Sequence, residues 1–372
     1  MTDYGIVYPL VHYLPIGASL SYERILSHTE KKYDVLFYGD FKSSSRRLKM
    51  LEALQQRFNV QFVSEVYGPD MMKAIRQAKV VINLHYYENA LLETPRIQES
   101  LSLGVPVVSE SAQDQYDYPE LADVVRFFEQ GSISAMIQAV ENALQNQVPP
   151  ESITRSIKRS AQRFAFMFDR FLVAMGFLSA DYAKEMELPL EFPPSASDAQ
   201  IVLSLPETVA RRRAFQSQHL GNYIVFDGIR RLPGWVGCGL SHSSLARYAL
   251  KRGIHRLTII EDDAILPSNF EGNMSIVNEY LDMHEGQWDI FVGVMASLHP
   301  EAKILSVETF KGIRFVTLDK MVSMVCNIYH ESALRLIASW DPTDLDVQHN
   351  TIDRYLERQS GLRVIVSLPF LY

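Results

Sequence analysis

Cysteine is nearly missing: Cys238 and Cys326 are the only two in 372 residues. They share no C-x-x-C spacing and have no second pair, so neither a zinc knuckle nor a disulfide framework is specified. A reducing compartment is the expectation. No basic and apolar leader opens the chain at Met1-Thr2-Asp3-Tyr4. The longest apolar run, Phe164 to Leu178, is interrupted by Asp169 and Arg170 and falls short of the ~20 residues a bilayer span needs. These absences predict a soluble, cytoplasmic protein and leave peripheral membrane attachment open. Positive charge is also in deficit, with 36 Lys and Arg against 44 Asp and Glu and a net charge of −8. That removes the broad basic field a nucleic acid backbone needs, so no nucleic acid partner is expected.

What is present is an ordinary globular balance, 47% hydrophobic and 22% charged, which excludes disorder and allows two domains at the usual ~150 residues each. From Lys32 to Glu129, short β-rich runs alternate with amphipathic stretches. Strands are predicted near Tyr33 to Gly39, Val60 to Val63, Val80 to Leu84 and Val105 to Val108. Helices are predicted near Arg46 to Arg57, Asp70 to Gln77 and Thr94 to Leu103. Alternation of this kind implies a parallel sheet with helices on both faces. One or two helices follow from Pro149 to Leu178. The Pro-, Ser- and acid-rich stretch through Pro193-Pro194-Ser195-Ala196-Ser197 then reads as an extended connector. A second β/α series begins at Ile201-Val202-Leu203-Ser204-Leu205. The expected fold is α/β with two Rossmann-like domains, 1–180 and 201–372, joined by a linker at 181–200.

The most informative residues are Thr258-Ile259-Ile260-Glu261-Asp262-Asp263. A β-rich run delivers three adjacent carboxylates at the end where open α/β sheets place ligands. Their mutual repulsion calls for a cation or donors. On an extended chain Glu261 and Asp263 face one way and Asp262 the other, and hard oxygens suit Mn²⁺ or Mg²⁺ bridging a diphosphate. The bland alternative is an acidic strand end that faces solvent or caps a helix.

Three segments occur in order: Leu203-Ser204-Leu205-Pro206-Glu207-Thr208-Val209-Ala210-Arg211-Arg212-Arg213, Gly237-Cys238-Gly239-Leu240-Ser241-His242, and Ile259-Ile260-Glu261-Asp262-Asp263. Together they resemble family 25 glycosyltransferases, the lipopolysaccharide and collagen galactosyltransferase group, over roughly residues 200–370. The resemblance implies a GT-A fold that binds UDP-galactose or a related UDP-hexose through a divalent metal, Mn²⁺ or Mg²⁺. It makes Asp263 the metal ligand, with Glu261 beside it and nearer the ribose, and Asp262 part of the donor site. At least one of Arg211, Arg212 and Arg213, all three donor-site candidates, would pair with diphosphate oxygens, the others staying solvated. Ser241 and His242, opening a predicted helix, would position sugar or phosphates or else serve capping and packing. An Asp in the segment Thr351-Ile352-Asp353-Arg354-Tyr355-Leu356 matches the family's late carboxylate, so Asp353 is the candidate base that takes the acceptor hydroxyl proton during inverting transfer, or else an acceptor contact. Asp344 and Asp346 are the reserves.

Earlier in the chain, Leu92-Glu93-Thr94-Pro95-Arg96-Ile97-Gln98-Glu99-Ser100-Leu101-Ser102-Leu103-Gly104-Val105-Pro106-Val107-Val108 resembles the C-terminal half of GT-B glycosyltransferases. There the Glu five residues before the glycine binds the donor ribose, which points to Glu99. Leu91 stands where many members carry a partner Glu, with Glu93 a shifted substitute. The basic cluster Lys42, Arg46, Arg47 and Lys49 would contact phosphates or an anionic glycan, or form a solvated helix face. The function expected is metal-dependent transfer of a hexose, galactose first, from a UDP-sugar to a saccharide or lipid-linked saccharide acceptor in surface polysaccharide or lipopolysaccharide synthesis. The alternatives are a bifunctional enzyme with a second donor site at Glu99, and a non-catalytic nucleotide-sugar or glycan-binding partner.

Overall fold

The structure of the protein, a computed structural model, describes residues 11–20 and 29–370 apart from 194, 219, 222, 296, 321 and 322. The opening stretch from Met1 to Tyr4 and the connector residue Pro194 lie outside the described residues. Two compact units form, one of them Pro15–Ala165 and the other built on the chain from Phe166 onward with the segment preceding Pro15.

In the first unit the order is β1 (Tyr33–Tyr38), α1 (Ser45–Gln55), β2 (Val60–Val63), α2 (Gly68–Gln77), β3 (Ala78–Asn83), α3 (Thr94–Ser102), β4 (Val107–Glu110), β5 (Val125–Phe128) and α4 (Ile133–Gln145). All pairings are parallel, in the order β2-β1-β3-β4-β5. Successive residues of β1 feed opposite faces, as the two-residue strand period requires. Val35 and Phe37 pack with Met50, Leu51 and Leu54 of α1. Leu36 and Tyr38 pack with Ile75 of α2 and Ile97 of α3. The helix α5 (Pro150–Ala174) contains the division between units.

The second unit continues with α6 (Ala180–Glu185), β6 (Asp198–Ser204), α7 (Val209–Gln216), β7 (Ile224–Asp227), α8 (Gly234–Lys251), β8 (Arg256–Glu261), α9 (Phe270–Met283), β9 (Ile290–Val292), β10 (Ile304–Phe310), β11 (Ile313–Leu318), β12 (Cys326–His330), α10 (Glu331–Ala338), α11 (Ile352–Glu357) and β13 (Val364–Leu368). Among the described residues its sheet has eight strands, in the order β10-β11-β13-β9-β12-β8-β6-β7. The trio β7-β6-β8 is parallel, whereas β12 runs antiparallel to both β8 and β9, and β11 antiparallel to β10 and β13. The fold is therefore α/β with one parallel and one mixed sheet.

The stretch expected as a linker differs from that expectation. Met186, Leu188 and Leu190 recur every second residue and are buried in the second unit's core, and Tyr248 Oη donates to the Leu190 carbonyl at 2.5 Å. Its alternating apolar residues anchor it despite the prolines that follow. Among the described residues, no helix is long and apolar enough to cross a membrane.

Candidate functional site

The site lies where β6, β7 and β8 present their carboxyl ends side by side. A cavity of about 360 Å³ opens there, lined among others by Ser204, Arg211, Gly228, Cys238, Glu261 and Asp262. Strand parity decides where each carboxylate of β8 goes. Leu257 and Ile259 belong to the core on the α8 side, and Ile260 to the core on the α9 side. Continuing the alternation sends Glu261 toward α8 and Asp262 to the other face.

Asp262 is buried and satisfied there. Its Oδ2 accepts from Ser204 Oγ at 2.6 Å and its Oδ1 from Arg211 Nε at 2.8 Å, with Arg211 Nη2 closing the pair. Arg211 Nη2 is also 3.4 Å from Asp263 Oδ2, and the Arg211 and Asp263 side chains are each 49% exposed. One guanidinium thus touches both carboxylates while half of it faces solvent.

The neighbouring arginines separate according to the partners that other strands bring to them. Arg212 is buried, donating to Ser204 Oγ at 3.0 Å and to Asp227 Oδ1 at 2.5 Å. This corrects the expectation of a donor-binding or solvated Arg212, because an ion pair at the ends of β6 and β7 already consumes its guanidinium. Arg213 is exposed on α7, away from the cavity lining.

On the α8 side, Glu261 meets Cys238, whose Sγ is 3.7 Å from Oε1. Burial, with Asp263 nearby, pushes the Glu261 carboxyl up to about 7. His242 Nδ1 lies 3.1 Å from the Cys238 carbonyl one turn back and 3.7 Å from its sulfur. Complete burial lowers the imidazole to about 4, although the Asp353 charge acts in the opposite direction. Ser241 and His242 were expected at a helix start, yet α8 begins at Gly234 and carries both in its interior. The helix extends upstream because two glycines allow close approach. A Cβ on Gly237 would meet the Ile229 carbonyl at 2.7 Å, and one on Gly239 would meet the Trp340 ring at 2.5 Å. Ser241 Oγ donates to the Gly237 carbonyl and accepts from Ile229 N, both at 2.8 Å, so it fastens the loop that walls the cavity.

Asp353 is in the first turn of α11, its Oδ1 accepting from Thr351 Oγ1 at 2.7 Å and from Arg354 N at 2.9 Å. Its charge raises both the Cys238 thiol and the His242 imidazole, and its hydrogen-bond partners are local to α11. The reserves sit in a loop whose groups are used locally: Asp346 pairs with His349 at 2.7 Å, and Asp344 accepts from Asp346 N at 3.0 Å. His330 pairs with Glu285 at 2.9 Å.

Sequence reasoning missed the support of the cavity wall. Arg170, fully buried, donates from Nε to the Gly228 carbonyl at 2.5 Å and from Nη1 and Nη2 to the two Glu207 oxygens at 2.7 and 2.6 Å. The loops after β6 and β7 are thereby joined. The signal was there, since Arg170 interrupts the longest apolar run and Glu207 stands in the first quoted segment.

In the first unit, a cavity of about 570 Å³ lies at the carboxyl ends of β1 and β2, lined among others by Tyr38, Asp40, Lys42, Ser64 and Glu99. Glu99 Oε2 accepts from Tyr38 Oη at 3.0 Å. Of the expected basic cluster, Arg47 is buried and donates to both oxygens of Glu93 at 2.7 and 2.8 Å, and Arg46 pairs with Glu110. Lys42 and Lys49 remain exposed. Glu93, braced by Arg47 and by Arg96 at 2.8 Å, is a structural anion between two arginines.

Comparison with known proteins fits this division. Residues 23–166 match the family described as glycosyl transferase-like, and residues 232–321 match glycosyltransferase family 25 (LPS biosynthesis protein). Both units carry glycosyltransferase family segments. The second match includes Cys238, Ser241, His242 and Glu261 to Asp263; the arginines of α7 and Asp353 fall outside it. A human protein named inactive glycosyltransferase 25 family member 3 is 32% identical over 88 residues, 24% of this chain and 15% of that protein. A bovine protein named probable inactive glycosyltransferase 25 family member 3 is 30% identical over 76 residues, 20% of this chain and 13% of that one. The chain thus spans 15% or less of the length of these relatives. A sucrose-phosphate synthase from Thermosynechococcus elongatus is similar at a TM-score of 0.30 and 15% identity, covering 44% of this chain and 50% of that one.

Proposed function

We propose that the second unit is a metal-dependent glycosyltransferase that moves a hexose, galactose being the first candidate, from a UDP-sugar to a saccharide or lipid-linked saccharide acceptor. The observation that carries this reading is the half-exposed Arg211 guanidinium set over Asp262 and Asp263 at the mouth of a cavity formed by three parallel strand ends. A diphosphate entering there meets a planar donor fork suited to bidentate pairing. Glu261 and Asp263 offer hard oxygens beside it, a donor set that fits Mn²⁺ or Mg²⁺. When bound, such an ion neutralises diphosphate charge. Asp262 has a different part, holding Arg211 in place from below. Asp353 is proposed as the base that accepts the acceptor hydroxyl proton. The family match supports a setting in surface polysaccharide or lipopolysaccharide synthesis.

A second reading, that the first unit holds another donor site, is favoured by the separate cavity bearing Glu99. A third, non-catalytic binding, is favoured by the word inactive in the names of the related proteins. UDP release from UDP-galactose, with and without Mn²⁺, on the intact chain, Asp263→Ala and Glu99→Ala separates them. Metal-dependent release abolished by Asp263→Ala supports the first reading. Release sensitive only to Glu99→Ala supports the second, and donor binding without release supports the third.

A further inference from the structure

Cys238 and His242 are four residues apart on α8, so they share one face, and that face meets Glu261 at the end of β8. One ligand atom from each of the three lies within 4.8 Å of the others, with Cys238 Sγ at 3.7 Å from both Glu261 Oε1 and His242 Nδ1. A tetrahedral zinc with sulfur at ~2.3 Å and nitrogen or oxygen at ~2.0–2.2 Å spaces its ligand atoms roughly 3.3–3.7 Å apart. The two pairs that involve Cys238 already stand at that spacing, and the His242–Glu261 pair lies within 4.8 Å.

A second observation concerns the imidazole. His242 is fully buried, and its Nε2 has no hydrogen-bond partner. Nδ1 donates its proton to the Cys238 carbonyl, so ligation through Nδ1 would require that proton to move to the unpartnered Nε2, exchanging the carbonyl hydrogen bond for the bond to the cation. Cys238 and Glu261 both line the cavity, which gives a bound cation an open position on that side. Thiolate, imidazole and one carboxylate form a borderline-soft set, unlike the all-oxygen set that suits Mn²⁺ or Mg²⁺.

We infer that Cys238, His242 and Glu261 form a binding site for a thiophilic divalent cation of the zinc class, with a fourth position open to the cavity. On binding, the thiol proton leaves to solvent and the thiolate and carboxylate together balance the two positive charges. Asp263 is not part of this set, so the inference stands independently of the transferase reading. The two sites share Glu261, and a zinc-class ion would compete with the hard metal proposed there.

Titration of the full chain with Co²⁺, read by absorbance, tests the site, because a cobalt–thiolate bond gives a near-ultraviolet charge-transfer band that oxygen and nitrogen ligands do not. The expected result is one Co²⁺ per chain with that band, bleached by one equivalent of Zn²⁺. Cys238→Ser should abolish the band, whereas Cys326→Ala and Asp263→Ala should retain it. Glu261→Gln should keep the band while weakening Co²⁺ binding at least tenfold. A wild-type chain without the band, a band that survives Cys238→Ser, or undiminished affinity in Glu261→Gln overturns the inference. Retention of the band in Asp263→Ala alongside loss of UDP release separates this site from the transferase reading.

Discussion

Asp262→Asn and Asp263→Asn alter one functional group each at adjacent positions, and their surroundings demand opposite outcomes. The Asp262 side chain is 2% exposed and accepts from Ser204 Oγ and Arg211 Nε. Ser204 Oγ in turn accepts from Arg212 Nε at 3.0 Å, so the amide introduced by Asp262→Asn would aim a second donor at a hydroxyl already accepting one. Arg211 would also lose its charged partner. Hydrogen bonds involving a charged group contribute roughly 1.5–3 kcal/mol each, and the asparagine retains one acceptor oxygen, so a loss of about 2–3 kcal/mol is expected. The Asp263 side chain is 49% exposed and faces Arg211 alone at 3.4 Å, an arrangement where a salt bridge contributes ~0–1 kcal/mol. Asp263→Asn should therefore unfold almost as the wild type does while losing Mn²⁺-dependent UDP release. Urea unfolding followed by tryptophan emission reads the right part of the molecule, because Trp235, Trp288 and Trp340 all belong to the second unit. Equal losses of stability, or a larger one for Asp263→Asn, would refute the division of roles along β8.

Three other predictions rest on packing and burial. Gly239→Ala should lose about 1–3 kcal/mol in the same unfolding assay, because its Cβ would stand 2.5–2.9 Å from the fully buried Trp340 ring. Gly272→Ala in α9 meets nothing within 4 Å and should gain about 0.5–1 kcal/mol. In the first unit, burial holds the His85 imidazole below its ordinary 6.5, outweighing the nearby Glu110, Glu93 and Asp114 carboxylates, while Arg46 acts in the same direction as burial. Unfolding allows it to take up a proton, so this share of stability is present above 6.5 and falls away as the pH drops below it. Hydrogen-exchange protection factors in β3 should decrease on going from about pH 7 to about pH 5, and less so in His85→Gln. An unchanged decrease in the variant would remove His85 from the cause.

Much of this architecture was legible because the relevant signals are local. The run Val60 to Val63 is the observed β2, and the period-two alternation around Glu261 and Asp262 anticipated their opposite faces. Thr94-Pro95 and Gly104 bracketed α3, since proline suits a first helical turn and Gly104 adopts the left-handed region at φ 74°. The rest depends on partners distant in sequence. Nothing local distinguishes Arg211 from Arg212; their fates are set by Asp262 and Asp227, which arrive on other strands. The antiparallel half of the second sheet was equally hidden, because nothing within the five residues of β12 sets its direction until its register against β8 and β9 is known. Met186, Leu188 and Leu190 were masked by neighbouring prolines and acids, although their alternate spacing was visible.

The buried ion pairs explain why this arrangement concentrates its chemistry on so few groups. Arg170 with Glu207, and Arg212 with Asp227, are ion pairs at the loop ends of the cavity, each with little or no exposure. Breaking either would strand a charge away from water at a cost of ~3–5 kcal/mol, so these guanidiniums are poorly suited to exchange partners during a binding cycle. Arg211 differs because only its Asp262 side is enclosed. Its contact with Asp263 is long and solvated, and a contact of that kind costs little to replace. In the proposed reaction, Asp263 would hold the cation, and Arg211, still anchored through Nε to Asp262, would keep its fork facing the cavity for the diphosphate. Metal and diphosphate would then bind cooperatively through a side chain that neither the metal nor the strand alone positions. That coupling requires Asp262 to remain buried beneath Arg211, and the parity of β8 keeps it on the face opposite Glu261.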